Sequence, residues 1–237
     1  MCIQRRREEE KFPNLVKIGG EIVKKCGGVP LAVKTLGSLL YSSNDENHWK
    51  DVRVNELWKL EQKEGDILPA LKLSYDQFSS YLKQCFVYCS IFPKDFEYDS
   101  DFVVQFWMAQ GLLQSHKENE ELEKIGVQYL KELLSRSFFQ DFEEVFGDNS
   151  FTFKMHDLMH DLAKSITKNE CGIVVTPNHS ISKKALHLSF VEDNMGKDGV
   201  PSYLYGKNRL RTISFPFSDV SPNQSFEIGR ASCRERV

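Results

Sequence analysis

The sequence predicts a mainly α fold in three parts: a helical unit, a unit of three helices closed by a β-hairpin, and the first strands of a repeat. Three observations predict it. Apolar residues recur at spacings of three and four between Leu15 and Leu133. The period drops to two from Phe138 through Met155, around the turn-forming Gly147-Asp148-Asn149. Farther on, Ala185-Leu-His-Leu-Ser-Phe190 and Leu210-Arg-Thr-Ile-Ser-Phe215 are similar strand-like segments 25 residues apart. The first period marks helices with one buried face, and the second marks half-buried strands.

In the first unit, Leu15, Ile18, Ile22, Val23 and Cys26 follow Pro13 at helical spacing, and Gly27-Gly28 supplies a left-handed stop. Pro30 then stands where a first-turn proline belongs, with Leu31, Thr35, Leu36, Leu39 and Leu40 on one face of a second helix. Asn44 to Lys59 sets Trp49, Val52, Leu57 and Trp58 among charges, the pattern of one or two short helices.

The second unit opens near Asp66 with Ile67, Leu68, Leu71 and Tyr75. Leu82, Cys85, Phe86 and Cys89 continue the helical spacing up to Pro93. Ser100 is expected to cap a helix carrying Phe102, Val103, Phe106, Trp107 and Gln110, closed by Gly111. Leu122, Ile125, Tyr129, Leu130 and Leu133 define a third helix. A hairpin then runs from Phe138–Phe142 to Phe151–Met155. Three helices and a hairpin are the parts of a winged helix. Met155 to Ile166 returns to helical spacing through Leu158, Met159, Leu162, Ala163 and Ile166. The 25-residue offset downstream suits the start of a leucine-rich repeat, whose units run about 20–29 residues.

The 237 residues, 41% hydrophobic and 27% charged, are ordinary for a globular chain and exclude a collagenous or wholly disordered one. A net charge of -3 argues against a surface built to grip nucleic acid. The acidic start of the third helix, Glu120-Glu121-Leu122-Glu123-Lys124, would be repelled by phosphates where a recognition helix should bind them. Six cysteines without a Cys-x-x-Cys pair point to a reducing, intracellular compartment. Arg5-Arg6-Arg7 runs into Glu8-Glu9-Glu10 rather than into the apolar core of a signal peptide. The apolar stretch Val29 to Tyr41, broken by Lys34, falls well short of the roughly 20 residues that span a bilayer, so no transmembrane segment is expected. The final residues 228–237, Ile-Gly-Arg-Ala-Ser-Cys-Arg-Glu-Arg-Val, resemble the translation of a sequencing adapter and are set apart from the fold; the plain alternative is a native basic tail.

The most conspicuous polar cluster is Met155-His-Asp-Leu-Met-His-Asp161. His156 and His160 are one helical turn apart, as in zinc metalloproteases. However, Asp157 replaces the glutamate of that motif, and no third ligand has suitable spacing. A metal phosphohydrolase would need further ligands that the sequence does not place. The structural reading puts both histidines at the edge of the apolar stripe and is favoured for His160. Cys85 and Cys89 sit among Phe86, Val87 and Tyr88, where cysteine packs as a small apolar residue. No Gly-x-x-x-x-Gly-Lys-Ser/Thr phosphate loop occurs.

In order, Cys26-Gly-Gly-Val-Pro-Leu-Ala32, Cys85-Phe-Val-Tyr-Cys-Ser-Ile-Phe-Pro-Lys-Asp95, Phe106-Trp-Met-Ala-Gln-Gly-Leu-Leu113 and Met155-His-Asp157 resemble the plant NB-ARC leucine-rich-repeat disease-resistance proteins of the coiled-coil branch. The resemblance covers residues 12–168, with a weaker continuation to 217. It implies a fragment of a cytoplasmic immune receptor that switches between ADP-bound resting and ATP-bound active states. Residues 12–62 would be a helical regulatory subdomain of the nucleotide-binding module, residues 66–168 the winged-helix subdomain, and residues 169–227 a linker with the first repeat strands. The proline matching Pro30 would lie against the adenine, and the histidine matching His156 would reach the β-phosphate of ADP.

The implied cofactor is ADP or ATP in the intact protein, with none held tightly by this chain, and the chain is not expected to be an enzyme. The implied partners are the nucleotide-binding subdomain and leucine-rich repeats of the intact receptor, and a pathogen effector or guarded host protein. A standalone module that regulates intact receptors, or a winged-helix nucleic-acid-binding protein, is the alternative.

Overall fold

The computed structural model describes residues 11–41, 43–59, 69–115, 121–145, 150–168, 170–174, 181–190 and 209–214. The expected elements at Asp66, Ile67 and Leu68, the turn at 147–149 and the segment 228–237 lie outside them.

Helix α1 (Pro13–Lys25) buries Leu15, Ile18 and Ile22. Val23, which the spacing assigns to the same face, is 50% exposed: it follows Ile22 directly and is turned about 100° away from it. Gly27 and Gly28, at φ 62° and 80°, make the left-handed corner into helix α2 (Pro30–Tyr41). Within α2 the buried hydroxyl of Thr35 donates to the Leu31 and Ala32 carbonyls, so it packs among leucines without an unpaired group. Asp45 caps helix α3 (Glu46–Val54) by accepting from the Asn47 amide at 2.9 Å, and a 3-10 turn, Glu56–Lys59, follows.

Helix α4 (Pro69–Asp76) is shared between two cores. Ala70 and Leu73 join Ile18, Ile22, Leu36, Leu40 and Val52, whereas Leu71 and Tyr75 join the larger core that follows. Adjacent positions on this one helix therefore clamp the two units together.

Helix α5 (Ser80–Tyr88), capped by Ser79, runs into a 3-10 turn, Cys89–Ile91, ahead of Pro93. A short strand β1 (Glu97–Asp99), too brief to show a period, precedes helix α6 (Ser100–Ala109). The expected cap at Ser100 is corrected: Asp99 is the N-cap and accepts from the Phe102 amide at 2.9 Å. Ser100 is buried in the first turn, and its hydroxyl instead accepts from the Phe151 amide at 3.0 Å. Gly111, at φ 68°, closes the helix as expected.

Helix α7 (Leu122–Ser135) leads into strand β2 (Phe139–Glu144), which pairs antiparallel with β3 (Phe151–Met155). The first hairpin strand is shifted from the expected Phe138–Phe142, and Phe138 is buried ahead of it. The sheet order is β1-β3-β2. Its inner face carries Tyr98, Phe139 and Phe153, with Tyr98 stacked 5.2 Å from Phe153. Trp107, Phe86 and Phe92 fill the space behind it.

Helix α8 (Asp157–Thr167) starts two residues later than expected, because Met155 completes β3. Beyond it, β4 (Cys171–Val174), β5 (His187–Phe190) and β6 (Thr212–Ser214) form a parallel sheet. The pairs His187 with Thr212 and Leu188 with Ile213 reproduce the 25-residue offset, whereas β4 carried no signal in the sequence.

Candidate functional site

Pro30 and His156 each stand at the start of a helix. Pro30 is the exposed first residue of α2, where its missing N–H costs no helical hydrogen bond. Of the residues beside it, Leu31 is buried in the larger core and half-buried Val29 packs against both cores. The corner thus lies where the two units meet.

His156 is half-buried and is the N-cap of α8. Its Nδ1 accepts from the Leu158 amide at 3.1 Å, and its carbonyl accepts from the Met159 and His160 amides. An accepting Nδ1 places the proton of a neutral ring on Nε2, so the ring presents an N–H beside the helix N-terminus. The three residues of the motif are divided among three tasks. Met155 is buried in the sheet, His156 caps the helix, and Asp157 is exposed in the first turn.

His160 is 2% exposed, and its Nε2 donates to the Phe92 carbonyl at 2.8 Å. Desolvation is the main cause lowering its pKa, and among the described residues its buried Nδ1 has no hydrogen-bond partner. It belongs to the packing of α8 on the turn before Pro93, as the structural reading of the sequence holds. His156 and His160 therefore direct their rings to different backbone groups. Among the described residues no group of three potential metal ligands is found.

Among the described residues no hydrogen bond joins Pro30 to His156; helix α4 packs against both α2 and α8, the helices that carry them. Cys85 and Cys89 are core residues; burial pushes the Cys85 thiol up to about 12 and raises the Cys89 thiol well above its ordinary value. An open cleft of about 560 Å³ lies elsewhere, between the C-terminal parts of α2 and α7, and contains neither Pro30 nor His156.

One polar cluster escaped the sequence analysis: Tyr88, Gln110, His187 and Thr212 converge on one another across separations of up to 124 residues. The available signal was the shared place of His187 and Thr212 in the 25-residue offset. Among the described residues no helix is long and apolar enough to cross a membrane.

Residues 91–163 match the family model described as the winged-helix domain of disease resistance proteins. The chain is 48% identical over 214 residues to disease resistance protein RGA4 of Solanum bulbocastanum, an alignment covering 90% of this chain and 21% of that protein. It is 54% identical over 159 residues to disease resistance protein RGA2 of the same species, covering 67% of this chain and 16% of the relative. With disease resistance RPP13-like protein 1 of Arabidopsis thaliana, identity is 37% over 178 residues, covering 73% and 16%. The chain spans about a fifth or less of the length of these relatives. It belongs to the plant disease resistance proteins, and residues 91–163 are its winged-helix domain.

Proposed function

We propose that this chain is the regulatory part of an ADP/ATP-dependent switch in a cytoplasmic plant immune receptor, with Pro30 against the adenine and His156 donating to the β-phosphate of ADP. The observation that carries this reading is the capping geometry of His156. Its Nδ1 is engaged by the Leu158 amide at 3.1 Å, so Nε2–H is the group the ring offers beside a helix N-terminus. That end of a helix has unpaired amides and a positive dipole, both of which favour an anion.

Residues 12–62 then act as the helical regulatory subdomain, residues 66–168 as the winged-helix subdomain, and residues 169–227 as a linker and the first leucine-rich-repeat strands. The separate cores that share helix α4 support this division. The switch also needs the nucleotide-binding subdomain of the NB-ARC module, which supplies the phosphate loop and the slow ATP hydrolysis. Residues 1–237 alone hold ADP weakly or not at all. The remaining partners are the leucine-rich repeats and a pathogen effector or guarded host protein. A ligand shifts such an equilibrium only by its unequal affinity for the two states, and a donor that meets the β-phosphate in one state provides that inequality.

The test is His156→Val in the full-length receptor. Loss of the donor is expected to weaken ADP retention and raise cell-death signalling without effector. Wild-type ADP retention and signalling in the variant would show that His156 has no part in the switch.

A further inference from the structure

Tyr88 ends helix α5 and Gln110 caps α6, whereas His187 and Thr212 face each other on β5 and β6. Tyr88 Oη lies 2.8 Å from Thr212 Oγ1 and 3.2 Å from His187 Nδ1. His187 Nδ1 is 3.1 Å from Thr212 Oγ1, which donates to Gln110 Oε1 at 3.1 Å. The Tyr88 and His187 rings meet edge to face, 4.8 Å apart. Tyr88 and Thr212 are both buried, so the contact between them is not readily replaced by water, whereas Gln110 and His187 are half-buried.

The protons of this cluster can be counted. Thr212 has one hydroxyl proton and gives it to Gln110, so it can only accept from its other two neighbours. Tyr88 has one proton, which serves the shorter contact to Thr212. A bare Nδ1 would then leave two oxygens and one nitrogen around that single proton. A proton on Nδ1, shared between Tyr88 Oη and Thr212 Oγ1, completes all four contacts in one direction. This count puts a proton on His187 Nδ1, whereas Nδ1 of His156 is an acceptor.

We propose that Tyr88, Gln110, His187 and Thr212 form an intramolecular latch that holds strands β5 and β6 on the winged-helix unit and opens as one step. The strands have their own small core of Val174, Ala185, Leu188 and Phe190, separate from the core of the winged unit. Each side can thus keep its own core when the contact opens, giving up only the packing of β4 and β5 on the Cys89–Ile91 turn. Opening is all-or-none because removing any member strips a buried donor or acceptor from the others.

Hydrogen–deuterium exchange on the whole chain tests the latch with Tyr88→Phe and Thr212→Val. Both variants are expected to accelerate exchange at residues 187–190 and 212–214 at least tenfold, with residues 100–109 and 151–155 unchanged. Thr212→Ser, which keeps the hydroxyl, should retain wild-type rates. Unchanged strand rates in both variants would overturn the proposal. So would equal acceleration across all four segments, which would make the network part of the winged unit's own stability.

Discussion

The Nε2 atom of His160 lies 2.8 Å from the carbonyl oxygen of Phe92, and this bond fixes helix α8 to the turn that follows Cys89–Ile91. Both residues are buried, so neither group could turn to water if the other were removed. His160→Ala should destabilise the chain by about 2–4 kcal/mol, combining an unpaired carbonyl with a cavity. Urea unfolding at constant m-value checks this. A loss within about 0.5 kcal/mol, the range of ordinary surface substitutions, would show that the bond contributes nothing.

Two helical glycines should respond in opposite directions to alanine. A Cβ at Gly126 would lie 2.7 and 2.8 Å from the methyl carbons of buried Val104 and 3.1 Å from Leu113 Cδ1. Overpacking of this kind costs about 1–3 kcal/mol, which exceeds the roughly 1 kcal/mol gained in helix propensity. Gly126→Ala should therefore lower the melting temperature. At exposed Gly20 a Cβ would meet nothing within 4 Å, so Gly20→Ala should stabilise by about 0.5–1 kcal/mol. Equal shifts in both variants would contradict the close approach of α6 and α7 at Gly126.

Acid should loosen the parallel strands before it unfolds the winged unit. Desolvation, and secondarily the Arg211 charge, lower the His187 pKa from 6.5 to about 4. The unfolded chain takes up a proton near pH 6.5, but the folded chain resists protonation until about pH 4. Stability contributed by the neutral ring is thus complete above pH 6.5 and falls as pH drops to about 4, by at most about 1.4 kcal/mol per pH unit. His160, lowered by its own desolvation, shifts in the same direction. The slope should shrink in His187→Gln, as measured by denaturant midpoints between pH 4 and 7. An undiminished slope would assign it to other groups.

The sequence by itself determined most of the helices and their inward faces, because each rests on local periodicity and on residues with special backbone demands. Gly27, Gly28 and Gly111 ended helices where their freedom to take positive φ was needed, and Pro30 began one. The 25-residue offset marked the two segments that pair as β5 and β6. Tertiary structure decided what depends on contacts distant in the chain. Strand β1 is three residues long and exists because β3 offers it an edge; Ser100 left the cap to Asp99 because the Phe151 amide needed its oxygen. For the histidines, sequence could place His156 and His160 one turn apart but not assign their protons. Those were fixed by the Leu158 amide and the Phe92 carbonyl, just as the proton count around Thr212 puts a proton on His187 Nδ1.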